Sequence, residues 1–230
     1  MLTAAQMEKA AKNIPNQGLI PRLRKSPRPL DRSFFNRRPE KVAREILGKI
    51  LVRRELGKLR AGRIVEVEAY LGSNDAAAHA AAGETARNRV LFGPPGHAYV
   101  YFTYGMHFCL NVSCMPPGHA GCVLIRALEP LAGASRMAMA RGLPVPNRMR
   151  PRELRLLATG PARLCEALDI TRERDNGKDV TTRLSDLWIG DDGYVPAGII
   201  RTPRIGITKS REMPLRYFIA GNEFVSGSRR

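Results

Sequence analysis

The sequence predicts an α+β fold in which a single domain holds a mainly antiparallel β-sheet. Apolar and polar residues alternate at 49–54 and again at 63–70, with only a turn at 56–60 between them, so we expect the two strands to pair antiparallel. The chain has 230 residues and no stretch with the composition of a linker, which suits one well-filled domain. Three mid-chain segments have helical periodicity: 133–141, 151–157 and 161–168.

The N-terminal segment differs from the rest of the chain. Residues 1–30 contain six Lys or Arg, one acid and four prolines. Such a segment cannot bury enough apolar surface to offset the entropy of ordering it, so we predict a flexible basic arm at 1–30 and a domain at 31–230. A helix at 39–47 follows, with Pro39 at its first position and Gly48 after its end.

A tyrosine-rich hairpin is the most distinctive predicted element. The Gly- and Pro-rich turn at 92–96 leads into strands at 98–103 and 108–113, joined by a tip of Tyr104, Gly105 and Met106. The remaining short apolar runs predict further strands at 121–128, 187–189, 195–201, 204–207 and 216–219.

The charge balance points to a polyanionic partner. Thirty-eight Lys and Arg against 21 Asp and Glu give a formal net charge of +17. Nucleic acid is the leading candidate partner, ahead of a membrane surface and of charge that serves only solubility. No apolar run is long enough to span a bilayer and the start does not resemble a secretory signal, so we expect a cytoplasmic protein without membrane contact. We also expect it to be nucleoid-associated and monomeric.

Four cysteines in a reducing compartment predict no disulfide. Cys109 and Cys114 are five positions apart and would point to opposite faces of a strand, which argues against a shared metal although three histidines are near in sequence.

Two carboxylates share one predicted strand face. Alternation places Glu66 and Glu68 with Ile64, opposite Val65 and its neighbours. A solvated outer face is the simpler interpretation. Adjacent carboxylates can also hold a water as general base, in a glycosidase or a phosphoesterase.

The hairpin tyrosines also allow two interpretations. Tyr99 and Tyr101 share a strand face with Thr103, and such aromatics commonly belong to a core. Stacked aromatics are also typical of pockets for an extruded base, and an aromatic with a methionine at an exposed tip is typical of wedges that enter the minor groove.

Short motifs extend these features along the chain: the run 63–72, Asp75, His79, Arg87-Asn88-Arg89, Tyr99 and Tyr101, 104–106, Asn111, 126–130, 160–165 and 214–216. Together they resemble the alkyladenine (3-methyladenine) DNA glycosylase family, known from mammals and many bacteria, and the likeness extends from about residue 34 to 224. The resemblance implies a curved antiparallel sheet with surrounding helices. It also implies a monofunctional hydrolase that flips and removes alkylated or deaminated purines from double-stranded DNA in base excision repair, without metal or cofactor.

The same resemblance implies roles for individual residues. Glu68 would be the general base that activates water, and Arg126 would help to position it. The base pocket would contain Tyr70, His79, Tyr101 and Asn111, the last crowding the exocyclic amine of normal guanine. Tyr104 would fill the gap left in the duplex. Apart from the resemblance, the exposed tip predicts that Met106 also enters the duplex, and the bidentate geometry of arginine suits Arg87, Arg89 and Arg141 to contact its phosphates.

Three further features bear on the chemistry. No lysine occurs between Lys58 and Lys178, so Schiff-base strand cleavage is not expected. His107 stands where mammalian members have a tyrosine. The segment 80–86 is one residue shorter than theirs and lacks arginines that they contain.

Two rival functions remain open from the residues themselves. One is a basic module that binds nucleic acid, including RNA, without catalysis. The other is a metal-dependent nuclease that uses Glu66 and Glu68.

Overall fold

The computed structural model describes residues 26–103, 105–146 and 149–227. Within these ranges nine strands form one open sheet, and every pairing between them is antiparallel. The predicted α+β class is confirmed. The strands are β1 (Arg28–Pro29), β2 (Ile50–Glu55), β3 (Lys58–Tyr70), β4 (Ala98–Thr103), β5 (His107–Cys114), β6 (Gly121–Ala132), β7 (Leu187–Asp191), β8 (Ile199–Thr202) and β9 (Arg216–Ile219).

Helices pack against several strands of this sheet. A proline starts three of them, where the missing N–H costs no hydrogen bond. The helices predicted at 39–47, 133–141, 151–157 and 161–168 are all present with slightly different ends. The described helices are α1 (Arg32–Phe35), α2 (Pro39–Ile46), α3 (Ala134–Ala140), α4 (Pro151–Ala158), α5 (Pro161–Ala167) and α6 (Arg172–Asp175).

The long strand β3 is the centre of the sheet. The order is β1-β7-β2-β3-β6-β5-β4, and β9 pairs with both β3 and β8. Along one edge β3 pairs first with β2 and then, from Glu66 to Glu68, with β9. Its other edge pairs with β6. The same strand therefore brings together parts of the chain that are far apart in sequence.

Three irregularities interrupt the pairing of β3 with β6, one between Ala61 and Gly62 and two beside the glutamates. Ile64 pairs with Leu128 and Glu66 with Ala127, which leaves Val65 as an extra residue on β3. The next shift leaves Arg126 as an extra residue on β6. Bulges of this kind bend a strand and redirect side chains. The simple alternation predicted for 64–69 is therefore interrupted, and Ile64 belongs to the same core as Val65.

The end of the predicted N-terminal arm belongs to the sheet. Arg28 and Pro29 pair with Asp191 and Gly190 of β7, and Leu30 is buried. The domain therefore starts before residue 31. Residues 1–25 lie outside the described ranges, and their role as a flexible arm stays a prediction.

One predicted strand is wrong. Residues 204–207 pair with no strand. The Arg204 side chain is buried against Asp75, and the Ile205 N–H is bonded to the Glu68 side chain. This segment therefore closes over the end of β3 and does not extend the sheet. No helix in the described ranges is long and apolar enough to cross a membrane.

Candidate active site

A cavity of about 390 Å³ opens beside the end of β3. Strands β3 to β6 form its floor and walls, and the segment after β8 forms one rim. The lining residues are Glu68, Tyr70, Ala77, His79, Tyr99, Tyr101, Thr103, Cys109, Asn111, Cys122, Leu124, Arg126, Pro161, Ile205, Gly206 and Ile207. All six residues predicted for catalysis and for the base pocket therefore meet in one cavity.

Glu68 is fully buried at the base of this cavity. Its Oε1 accepts a hydrogen bond from the Ile205 N–H at 2.8 Å and lies 3.1 Å from Nη1 of Arg126. Its Oε2 accepts from the Tyr70 hydroxyl at 3.0 Å. A buried carboxylate needs such partners to offset its desolvation. Because a carboxylate oxygen can accept two hydrogen bonds, Oε2 retains one position for a water or a substrate atom.

Glu66 is also fully buried, but it does not line the cavity. Its Oε1 accepts from Nε of Arg126 at 3.0 Å and from Nε of Arg216 at 2.7 Å. Its Oε2 accepts from the Ser226 N–H at 2.6 Å. The solvated-face interpretation is therefore wrong for both glutamates, and the structure separates a cavity carboxylate from an internal one.

Arg126 links the two carboxylates. It is the extra residue of the β6 bulge, and it is 7% exposed. Burial lowers the pKa of Arg126, but the Glu68 and Glu66 carboxylates outweigh burial and hold that pKa above its ordinary value. The guanidinium remains charged and fixes the position of Glu68.

Aromatic rings form the walls of the cavity. The His79 ring meets Tyr101 edge to face, with centroids 4.5 Å apart, and its Nδ1 lies 2.9 Å from the Tyr99 hydroxyl. Burial, reinforced by the Arg87 charge, lowers the pKa of His79, so the imidazole is neutral at pH 7. Burial raises the pKa of the Tyr70 phenol, and the Glu68 carboxylate raises it further, so Tyr70 remains a hydrogen-bond donor.

Asn111 presents its amide to the cavity in a fixed orientation. Its Nδ2 donates to the Tyr99 carbonyl at 3.2 Å, and its Oδ1 accepts from Sγ of Cys122 at 3.7 Å. Burial raises the pKa of Cys122 to about 12, so this thiol keeps its proton. Both ends of the amide are therefore occupied by neighbours.

The predicted DNA-contacting residues have different surroundings. Tyr104 lies outside the described residues. Met106 is 68% exposed at the hairpin and does not line the cavity. Arg87 lies over the Tyr101 ring at 6.0 Å, and the exposed Arg89 lies 3.3 Å from a Glu84 oxygen.

The third arginine predicted to contact phosphate is held against the protein. Arg141 pairs with Glu166 at 3.0 Å and donates to the Leu156 carbonyl. His107, on the return strand of the hairpin, lies 3.4 Å from the same Glu166 carboxylate. These contacts engage Arg141 more fully than Arg87 or Arg89, and the phosphate-binding roles of all three stay predictions.

Sequence reasoning missed the rim segment from Arg204 to Ile207. Its apolar alternation indicated a strand, yet Pro203 precedes it and Gly206 interrupts it. Both residue types disfavour a strand interior and could have signalled a loop. The four cysteines are free and buried, and no group of three His, Cys, Asp or Glu among the described residues is placed to hold a metal ion.

Comparison with known proteins gives consistent matches. The family described as "Methylpurine-DNA glycosylase" matches residues 33–223. Three relatives carry the name "Putative 3-methyladenine DNA glycosylase". The Koribacter versatilis protein is 63% identical over 87% of this chain and 94% of its own. The Burkholderia cenocepacia protein is 49% identical over 86% of this chain and 90% of its own. The Methanocella arvoryzae protein is 46% identical over 81% of this chain and 88% of its own.

Proposed function

Since this chain belongs to the methylpurine-DNA glycosylase family, whose members are DNA-repair hydrolases acting on N-glycosyl bonds, we propose that it excises damaged purines from double-stranded DNA. The substrates would be alkylated and deaminated bases of the 3-methyladenine, 7-methylguanine and hypoxanthine class. The product would be an abasic site.

The observation that carries this proposal is the Glu68 carboxylate at the base of an aromatic cavity. The volume of about 390 Å³ lies within the range of small-molecule sites. A base extruded from the duplex would stack among Tyr70, Tyr101 and His79, and stacking on aromatics contributes roughly 1–3 kcal/mol per base, enough to offset much of the unstacking cost.

Hydrolysis would use the open position on Glu68. A water held at Oε2 would lose its proton to the carboxylate as it attacks the sugar carbon, and the same negative charge would stabilise the oxocarbenium-like centre. Arg126 and the Ile205 N–H support this role because they hold Oε1 and leave the second acceptor position of Oε2, beside the Tyr70 hydroxyl, to the water.

The leaving base sets the second requirement. A cationic base such as 3-methyladenine departs without further protonation, and aromatic faces favour a cation. A neutral base such as hypoxanthine needs a proton. The lowered pKa of His79 makes it a weak source of that proton at pH 7, which favours water in this role.

The lining supports hydrolysis without strand cleavage. Among the described residues, none that lines the cavity is a lysine, so no amine is placed there to form a Schiff base with the sugar. We expect borohydride to trap no covalent adduct with lesion-containing DNA.

The test uses duplexes with one hypoxanthine and methylated DNA, each incubated with the chain and then treated with alkali. Alkali-dependent breaks at the lesion that persist in EDTA and disappear with Glu68→Gln support the proposal. Tight binding without base release would identify a non-catalytic module. Breaks that need no alkali and disappear with EDTA would identify a metal-dependent nuclease.

A further inference from the structure

A buried ion pair lies directly behind the candidate active site. Arg204 and Asp75 both have side chains with no exposure. The guanidinium donates to both carboxylate oxygens, with Nη2 2.8 Å from Oδ1. Burial raises the pKa of Asp75, but Arg204 and the N–H groups of Ala77 and Leu71 together outweigh it and hold that pKa below its ordinary value. Neither residue lines the cavity.

The carboxylate of this pair organises one wall of the cavity. Asp75 accepts hydrogen bonds from the N–H groups of Leu71 at 3.2 Å and Ala77 at 3.1 Å. Ala77 lines the cavity, and His79 follows two residues later. Asp75 therefore fixes the loop that connects β3 with the aromatic wall.

The Arg204 guanidinium organises the part of β3 that carries Glu68. Arg204 donates to the Ala69 carbonyl at 3.1 Å, and its Cζ lies 4.6 Å from the centre of the Tyr70 ring. The next residue, Ile205, donates its N–H to Glu68. Arg204 thus contacts Tyr70, the donor of the Glu68–Tyr70 hydrogen bond, and through Ile205 it is linked to Glu68, the acceptor.

We propose that Arg204 is a positioning residue for base excision: paired with Asp75, it holds the Ile205 N–H against Glu68 and the Tyr70 ring against the cavity. The inference rests on the proposed function, since Glu68 matters here as the group that activates water. A planar guanidinium that meets a carboxylate through two parallel hydrogen bonds fixes orientation more strictly than a single-point ammonium. Apolar residues can often replace a buried ion pair without loss of stability, so orientation is the property that the charges add.

A second buried pair in the same chain provides a matched control. Arg53 and Asp175 also have no side-chain exposure and lie 2.7 Å apart. Arg53 is in β2 and also donates to the Leu168 carbonyl, and neither member of the pair lines the cavity. This pair has the same residue types and burial, without contact to Glu68 or Tyr70. It differs in that Arg53 meets Asp175 through one hydrogen bond and Asp186 through another.

The experiment compares Arg204→Lys with Arg53→Lys in the full chain. Three quantities are measured for each: the melting temperature, the single-turnover excision rate on hypoxanthine duplex, and the hydrogen-exchange rate of the Ile205 amide. If Arg204→Lys does not fold, two double variants without these charges replace the lysine variants. One combines Arg204→Met with Asp75→Leu, and the other combines Arg53→Met with Asp175→Leu.

We expect Arg204→Lys to slow excision by about 10- to 100-fold, the scale of a small misplacement of catalytic groups, and to speed exchange of the Ile205 amide. Arg53→Lys should lower the melting temperature while leaving both other quantities near the parent values. Equal excision rates for the two folded variants, or unchanged Ile205 exchange in the Arg204 variant, would overturn the inference. If the parent chain released no base, the proposed function would fail, and Ile205 exchange would still decide whether Arg204 holds that amide.

Discussion

Tyr70 donates a hydrogen bond to Glu68 across 3.0 Å, from two positions further along the same strand. The spacing makes this possible because residues two apart in a strand point to the same face. Burial and the carboxylate keep the phenol protonated, so one acceptor position of Oε2 is always filled. With Oε1 held by Ile205 and Arg126, the geometry leaves a single direction from which Glu68 can accept another hydrogen bond.

The two glutamates should respond differently to the same substitution. Glu68→Gln should reduce single-turnover excision by roughly 10²- to 10⁴-fold, because an amide cannot accept the proton of the attacking water. Lesion binding by this variant, measured by gel shift, should persist. A Glu68→Gln enzyme with near-parental excision would remove Glu68 from the role of general base.

Glu66→Gln should act on stability instead. It leaves Arg216 facing a neutral amide in the interior while Arg126 keeps Glu68, and disruption of a buried ion pair costs about 3–5 kcal/mol. We expect a large fall in the melting temperature, with excision per folded molecule reduced less than in Glu68→Gln. The opposite order of effects would mean that the assignment of the two carboxylates is inverted.

His79 should make stability depend on pH. Its folded-state pKa lies below the ordinary value of 6.5 that applies in the unfolded chain. Below pH 6.5 the unfolded chain binds a proton at His79 that the folded chain does not bind, which favours unfolding. The stability that neutral His79 contributes is therefore complete above pH 6.5 and is lost as the pH falls toward the folded-state pKa. Melting temperatures of the parent and of His79→Phe, measured from about pH 8 to 5, should diverge in slope at the acidic end. His119→Gln, at an exposed histidine, is the control, and a parental slope in His79→Phe would contradict this expectation.

Asn111 should restrict the cavity to damaged bases. Asn111→Ala removes an amide whose two ends are held by Tyr99 and Cys122, so a guanine amine would meet less obstruction. We expect excision of undamaged guanine to rise by roughly tenfold relative to hypoxanthine, as expected for a modest change of pocket shape. Asn176→Ala serves as the control, since that side chain bonds the Val100 N–H outside the cavity. If the two variants had equal base preference, Asn111 would have no role in specificity.

The hairpin tip should contribute more to lesion binding than to the excision step. The resemblance to the family predicts that Tyr104 fills the space left by the extruded base, so Tyr104→Ala should weaken lesion binding more than it slows single-turnover excision. Met106→Ala should act in the same direction. Phe102→Ala provides the comparison, because that ring is half exposed on β4 and packs 5.1 Å from Phe108. Equal losses of binding and chemistry in Tyr104→Ala would count against a wedge.

Two deletions in the N-terminal segment should have different effects. Deletion of residues 1–25 should chiefly reduce non-specific DNA binding and make its salt dependence less steep, because counterion release scales with the number of phosphate contacts. Deletion of residues 1–30 should also lower the melting temperature, because it removes β1 and the buried Leu30. Complete loss of low-salt excision in the shorter deletion would show that residues 1–25 belong to the folded enzyme.

Local sequence signals predicted most of the elements and failed where distant segments meet. Periodicity and prolines indicated α2, α4, α5 and the β4–β5 hairpin because these depend on neighbouring residues. Periodicity could not distinguish Glu66 from Glu68, since the bulges that redirect their surroundings arise from pairing with β6. Arg204 meets Asp75 across 129 positions, a contact that no local pattern encodes.

The pairing of β3 with β9 has a consequence for how the enzyme matures. On the ribosome Glu68 emerges before Arg126, and Ile205 and β9 emerge after both. Until they arrive, the carboxylate lacks its backbone donor and the edge of β3 lacks its last partner. Pairings between such distant segments form slowly. The nascent protein should therefore remain without excision activity until Ile205 and β9 have been synthesised.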